Sequence, residues 1–145
     1  MLLKLSSVKS ERKRIEEGDW IAYPQWNGPT GSAKVRFQVK GISSTAYRRA
    51  YEDLGKKLAL KYKGEPIPDD IAHEMSGELL AEHLLLCWDG LDEPYSPERA
   101  LELLTDRDYA AFQGAVEWCA RRLENLNLEF VEETIKNSEA PSVIS

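Results

Sequence analysis

Two histidines and two cysteines are present in this 145-residue chain, and their spacing decides what chemistry they could do. His73-Glu74 begins as a zinc-protease helix would, with a histidine ligand followed by a glutamate general base. The second ligand would have to stand at position 77, where the chain has Gly77. His83 and Cys87, four residues apart, would share one helix face and could both ligate zinc, but no third or fourth ligand is identifiable. The carboxylate pairs Glu78/Glu82 and Glu98/Glu102 read as solvated helix faces, because acid–base catalysis needs contrasting environments and neither pair stands apart in an acidic region. There is no Gly-x-Ser-x-Gly nucleophile, no phosphate-cradling glycine loop and no dinucleotide fingerprint. The expectation is a protein that is not an enzyme and has no cofactor or metal, with Cys87 and Cys119 as small buried hydrophobes.

Binding offers more. Lys34, Arg36 and Lys40 fall on one face of an alternating segment. Arg48, Arg49, Lys56 and Lys57 interleave with Tyr47, Tyr51 and Tyr62, a mixture that suits phosphates and stacked bases. Two features weigh against nucleic acid: the chain is acidic overall, at −6, and the tyrosines recur at helical spacing, as core residues do. The charge is also divided along the chain. Residues 1–63 carry 14 Lys/Arg against 6 Asp/Glu, a balance of +8, and residues 64–145 carry 5 against 19, a balance of −14. Such separation gives differently charged faces that orient partners or favour head-to-tail self-association, so a homo-oligomer is expected.

The elements that must position these residues follow from pattern. The fold class predicted is α+β: an N-terminal β-hairpin or small antiparallel sheet, then a mainly α-helical bundle of four to five helices. Residues 1–17 read as an arm or edge strand and 18–41 as the hairpin, with Val35, Phe37 and Val39 turned to the core. Ser43-Ser44 caps a helix over 44–62 whose inner stripe is Tyr47, Tyr51, Leu54 and Leu58. Asp69 or Asp70 caps a second helix reaching Trp88. Helices over 97–104 and 106–124 follow, the latter with a 3/4-spaced seam of Tyr109, Phe112, Val116, Cys119, Leu123 and Leu126. Residues 126–135 suggest a weaker acidic helix. The length fits a single domain over 1–137 with a flexible tail at 138–145. The absence of a long apolar run predicts a soluble, cytoplasmic protein with no membrane partner.

The corner from Trp88 to Asp106 is the densest stretch of signals. Gly90 suits a helix C-terminus, Ser96-Pro97 restarts a helix with a cap and a first-turn proline, and Thr105-x-x-Asp108 forms a variant capping box. These signals belong to an ordered set: Gly18-Asp19-Trp20, the strand Val35 to Lys40, Tyr47-Arg48-Arg49, Gly77-Glu78-Leu79-Leu80 through Trp88-Asp89-Gly90, Tyr95-Ser96-Pro97-Glu98, Leu103-Leu104-Thr105-Asp106 and Lys136-Asn137. In that order they resemble the tail assembly chaperones of long-tailed, siphovirus-type bacteriophages. The resemblance spans roughly residues 18 to 137.

The resemblance implies a non-catalytic role in viral morphogenesis. Such chaperones bind the tape-measure protein, keep it soluble and help gather tail-tube protein around it in the host bacterial cytoplasm, and they are absent from the mature virion. Trp88, Asp89, Leu91 and Tyr95 at the corner, with Arg36, Arg48 and Arg49 on the basic side, are the candidate partner-binding residues, since aromatic and arginine side chains dominate binding anchors. The alternatives are a structural virion component, such as a tail-completion or head–tail joining protein, and a nucleic-acid-binding protein using the basic N-terminal half.

Overall fold

The computed structural model describes residues 1–132. In chain order the elements are β1 (Leu2–Leu3), α1 (Arg12–Glu17), β2 (Asp19–Ala22), β3 (Arg36–Val39), α2 (Thr45–Tyr62), α3 (Asp69–His83), β4 (Leu85–Asp89), α4 (Pro97–Thr105), α5 (Ala110–Leu123) and β5 (Phe130–Val131), with short 3-10 turns between some of them. The fold is α+β, a small antiparallel sheet with five helices. Residues Glu11–Glu124 form one compact unit, and Met1–Ser10 with the described residues 125–132 form another.

The larger unit is built on a three-stranded antiparallel sheet in the order β2-β3-β4. The expected hairpin is present, with Asp19 opposite Val39 and Ala22 opposite Arg36. Alternation works as the residue types dictate: Val35, Phe37 and Val39 are buried while Lys34 and Arg36 stay in water. The other edge of β3 is taken by residues expected to be helical. The predicted second helix stops at His83, and Leu85–Asp89 forms β4 instead, with Phe37 opposite Trp88 and Arg36 opposite Asp89. A short apolar run of this kind suits a buried strand as well as a helix, and the open edge of β3 supplies the backbone partners that decide it. Gly90 accordingly closes a strand and not a helix. Its φ is +88°, and a Cβ there would stand 2.2 Å from the Lys34 carbonyl oxygen.

α5 lies on the sheet, packed against β2 and β3 as well as α3 and α4. Its seam buries Phe112, Val116, Cys119 and Leu123, but the outer members Tyr109 and Leu126 are exposed. Phe37 sits within an aromatic cluster, its ring 5.5 Å from Phe112, 6.2 Å from Trp26 and 6.4 Å from Tyr23. α3 and α4 approach so closely that a Cβ on Gly77 would fall 2.1 Å from the Leu104 carbonyl oxygen. The Gln113 amide of α5 donates to that same carbonyl and to the carbonyl of His73, both at 3.1 Å, so one side chain ties three helices.

Several caps differ from expectation. Ser96 accepts from the Arg99 N–H at 3.1 Å, with Pro97 in the first turn, as its sequence requires. The next cap moves one residue: Asp106, not Thr105, accepts from the Asp108 N–H, and the Thr105 hydroxyl bonds back to the Leu101 carbonyl. Asp69 and Asp70 lie in the first turn of α3 without capping it; Pro68 holds the cap position. At α2, Ser44 is buried and its hydroxyl makes no hydrogen bond. Glu16 of α1 instead accepts from the Thr45 N–H at 2.8 Å, and Glu124 accepts from the Ser43 hydroxyl.

Residues 12–17, read as part of an arm or edge strand, are helical because Ile15 finds the core and Arg12 pairs with Glu16 one turn on. In the smaller unit, β1 pairs antiparallel with β5, Leu2 opposite Val131 and Leu3 opposite Phe130. The helix predicted over 126–135 is replaced there by coil and β5. Residues 133–135 of it, Lys136-Asn137 and the 138–145 tail lie outside the described residues.

Phe112→Ala should cost about 3–5 kcal/mol through the cavity left under Phe37, read by denaturant melts. Gly77→Ala should also destabilise, since its methyl meets backbone. Gly55→Ala, at a helix position with nothing within 4 Å, should stabilise by ~0.5–1 kcal/mol. A Gly77→Ala protein that melts with wild type would break the account of α3–α4 packing.

Candidate binding surfaces

Trp88 does not offer its ring to a partner: it is 5% exposed in β4. Its indole N–H donates to the Glu93 carbonyl at 2.8 Å, and its ring meets Phe112 and Tyr95 edge-on at 5.6 and 5.1 Å. Pairing with Phe37 turns Trp88 inward, and a break in register between Gln38 and Val39 lets Leu85 face inward as well, which a helical reading of the same residues could not establish. Arg99 secures the corner from outside, donating to both oxygens of Glu93 at 3.0 and 3.2 Å and to Glu102 at 3.0 Å. Those hydrogen bonds push the Arg99 pKa up. Leu91 and Tyr95 are half-buried against the core, and burial, ahead of nearby Cys87 and Glu98, raises the Tyr95 phenol.

Arg36 and Asp89 are brought together. They are register partners, and the Arg36 Nε donates to Asp89 at 3.1 Å while the guanidinium lies 4.4 Å from the Trp20 ring centroid. Both charges are exposed, so the pair fixes geometry more than it adds stability. Arg48 and Arg49 stand apart from this group, exposed on α2, with Arg48 3.8 Å from Glu52 one turn on.

The surface that sequence reasoning misplaced is α2 itself. It is eighteen residues long and buries none of them. The expected inner stripe is half-covered at Tyr47, Leu54 and Leu58, and Tyr51 is 61% exposed. Clefts lie along its open side, one between Tyr47, Tyr51 and Arg121 and another between Gly55, Leu58, Ala59 and Tyr62. Burial, ahead of Glu117, raises the Tyr47 phenol.

A second apolar surface was also missed. In the β1–β5 ribbon Leu2, Leu3, Phe130 and Val131 are all exposed, and Leu5 and Leu128 beside them are 81% and 50% exposed. The available signal was slight, a few leucines near the N-terminus of which only Leu2 and Leu3 pair as a strand while Leu5–Val8 forms a 3-10 turn, and nothing in it says that both faces stay open.

The sequence-level metal pair does not form on a helix. His83 ends α3, Cys87 lies in β4, and His83 Nε2 is 3.6 Å from Glu82. His73 Nε2 contacts the Asp106 carbonyl at 3.1 Å. Among the described residues no three His, Cys, Asp or Glu side chains converge as a metal site, and no helix is long and apolar enough to cross a membrane.

Residues 42–137 match the model of a family described as YdaY prophage protein. The match takes in α2 through β5 and leaves out the hairpin. No curated protein and no solved structure matches the chain.

Cys119 is fully buried on α5 and burial pushes its thiol up to about 12. In native protein at mildly alkaline pH, Cys119 should resist alkylation and react only as fast as the chain unfolds, as mass-resolved labelling would read. Prompt native labelling of Cys119 would contradict its place under the sheet.

Proposed function

The chain belongs to the YdaY prophage protein family, and from that premise we propose that it is a tail assembly chaperone. It binds the tape-measure protein, keeps it soluble and helps recruit tail-tube protein in the host bacterial cytoplasm, and it stays out of the mature virion. The role is a binding one without catalysis, cofactor or metal.

The observation that supports this reading is the exposed apolar ribbon. A tape measure is a very long helical protein whose apolar stripes aggregate before the tube covers them. A holding partner must present apolar surface that competes with that aggregation and can be released later. Leu2, Leu3, Phe130 and Val131 present such surface on two paired strands. Two strands alone bury too little to be independently stable, so contact with a client offsets a cost the ribbon otherwise carries. The exposed Lys4–Glu129 pair at 3.2 Å keeps the two segments in register while the apolar side chains stay open.

Co-expression with the tape-measure protein of the same genome tests the reading. The tape measure should stay in the soluble fraction and co-elute with this chain. A Leu3→Asp/Phe130→Asp double variant should lose that capacity with its main melting transition unchanged. If the tape measure precipitates equally with and without the chain, the chaperone reading fails. Detection of the chain in purified particles by mass spectrometry would then favour a structural virion component.

A further inference from the structure

Two surfaces of the larger unit are both apolar and carry opposite net charge at their rims. The first is the open side of α2, where Tyr47, Tyr51, Gly55, Leu58, Ala59 and Tyr62 leave clefts along the helix. Its rim is basic. Arg48, Arg121 and Lys63 border the clefts beside the carboxylates Glu52 and Glu65, with Arg48 paired to Glu52 and Arg121 to Glu117, and Lys56, Lys57 and Lys61 around the helix make the balance positive. Among the described residues those last three lysines and Lys63 have no carboxylate within ion-pair distance. The second surface is a cleft where the end of α3, β4 and α4 meet, floored by Ala81, Leu85, Leu86, Tyr95, Pro97 and Leu101. Its rim is acidic: Glu82 and Glu98 border it, and both are exposed. Leu101 in this lining is 38% exposed, an apolar side chain left in water on a helix that also carries Glu98 and Glu102.

We propose that α2 of one copy seats its tyrosine–leucine side in the α3–β4–α4 cleft of a second copy, its cations meeting the carboxylates on the cleft rim. The occupant is a second copy because the chain carries both halves of the match, an apolar helix with a basic border and an apolar cleft with an acidic one. The same division shows in the whole sequence, at +8 over residues 1–63 and −14 over residues 64–145. Patches of opposite sign steer the encounter, and burial of the tyrosines and leucines holds it. Because the two patches differ, the contact is head-to-tail. Each copy that docks leaves one patch free at either end, so the assembly grows into a ring or an open array. This contact is independent of the chaperone reading, since neither patch includes the ribbon.

Sedimentation velocity of the full chain alone tests it. The wild type should form concentration-dependent oligomers at low salt that shrink as salt is raised to about 0.5 M, where charge is screened within a few ångströms. Gly55→Glu blocks the helix side without crowding the monomer, since nothing lies within 4 Å of a Cβ there; Tyr51→Glu does the same at an exposed position. Leu101→Lys blocks the cleft. Each variant alone should be monomeric and melt no lower than wild type, Gly55→Glu slightly higher because a helical glycine is lost. An equimolar mixture of Gly55→Glu with Leu101→Lys should form a one-to-one dimer and nothing larger, because each supplies the half the other lacks. A wild type that stays monomeric at all concentrations overturns the proposal and leaves α2 open to a different protein. So do oligomers that survive both Gly55→Glu and Tyr51→Glu, or variants that remain monomeric when mixed.

Discussion

Burial of Phe37 is the interaction on which the larger unit depends. It stands on β3, the central strand, is fully buried, and meets rings from the β2–β3 connection and from α5. Its register partner across the sheet is Trp88. The sheet can therefore hold α5 only if β4 pairs where it does, and β4 can pair only if α3 ends at His83. One ring links the hairpin, the third strand of its sheet and α5, the helix that buries the most residues. Aromatic edge contacts of this kind add to the area they bury because the ring quadrupoles favour them.

Legibility of the fold follows the range of the interactions. The hairpin was readable because Val35, Phe37 and Val39 alternate within one strand. The Ser96-Pro97 start was readable because a cap and its acceptor lie three residues apart. The Leu84-to-Trp88 run was not, since its local pattern suits helix and strand alike and the deciding partner, β3, lies nearly fifty residues earlier. The same holds for the carboxylates at the start of α2: Glu16 and Glu124 come from distant parts of the chain, and local pattern pointed to Ser43 and Ser44 instead. Gly77 figures in the sequence as a missing zinc ligand and as one member of a motif set. Its reason is the carbonyl of Leu104, which no local pattern reveals.

The candidate residues divide along the same line. Trp88 has the composition of an anchor and the environment of a core residue, because pairing with Phe37 turned it inward. Arg36 and Asp89, far apart in sequence, become neighbours through register alone. The tyrosines of α2 have core spacing yet none is buried, Tyr47 and Tyr62 being half-covered and Tyr51 exposed, since spacing identifies a face of a helix and not what covers it. The apolar side chains of the β1–β5 ribbon carry little pattern at all, and their openness emerges only from three-dimensional pairing.

The attachment of α2 has a further consequence. Glu16 grips its first turn and Glu124 the Ser43 backbone just before it, and the hydrogen bond from the Thr45 backbone, which is the main cause, holds the Glu16 pKa below its ordinary value. Beyond that turn the helix rests on α3 without burying a residue. Cooperative unfolding free energy is not shared evenly in such a chain. The body of α2 can open as a separate sub-global unit while the sheet and α5 remain intact, so its amide protons exchange from a partially unfolded form that the core amides never visit. The chain thus carries a pre-existing excited state, reachable at a fraction of its global stability, in which a long helix is loosened and its first turn is still held.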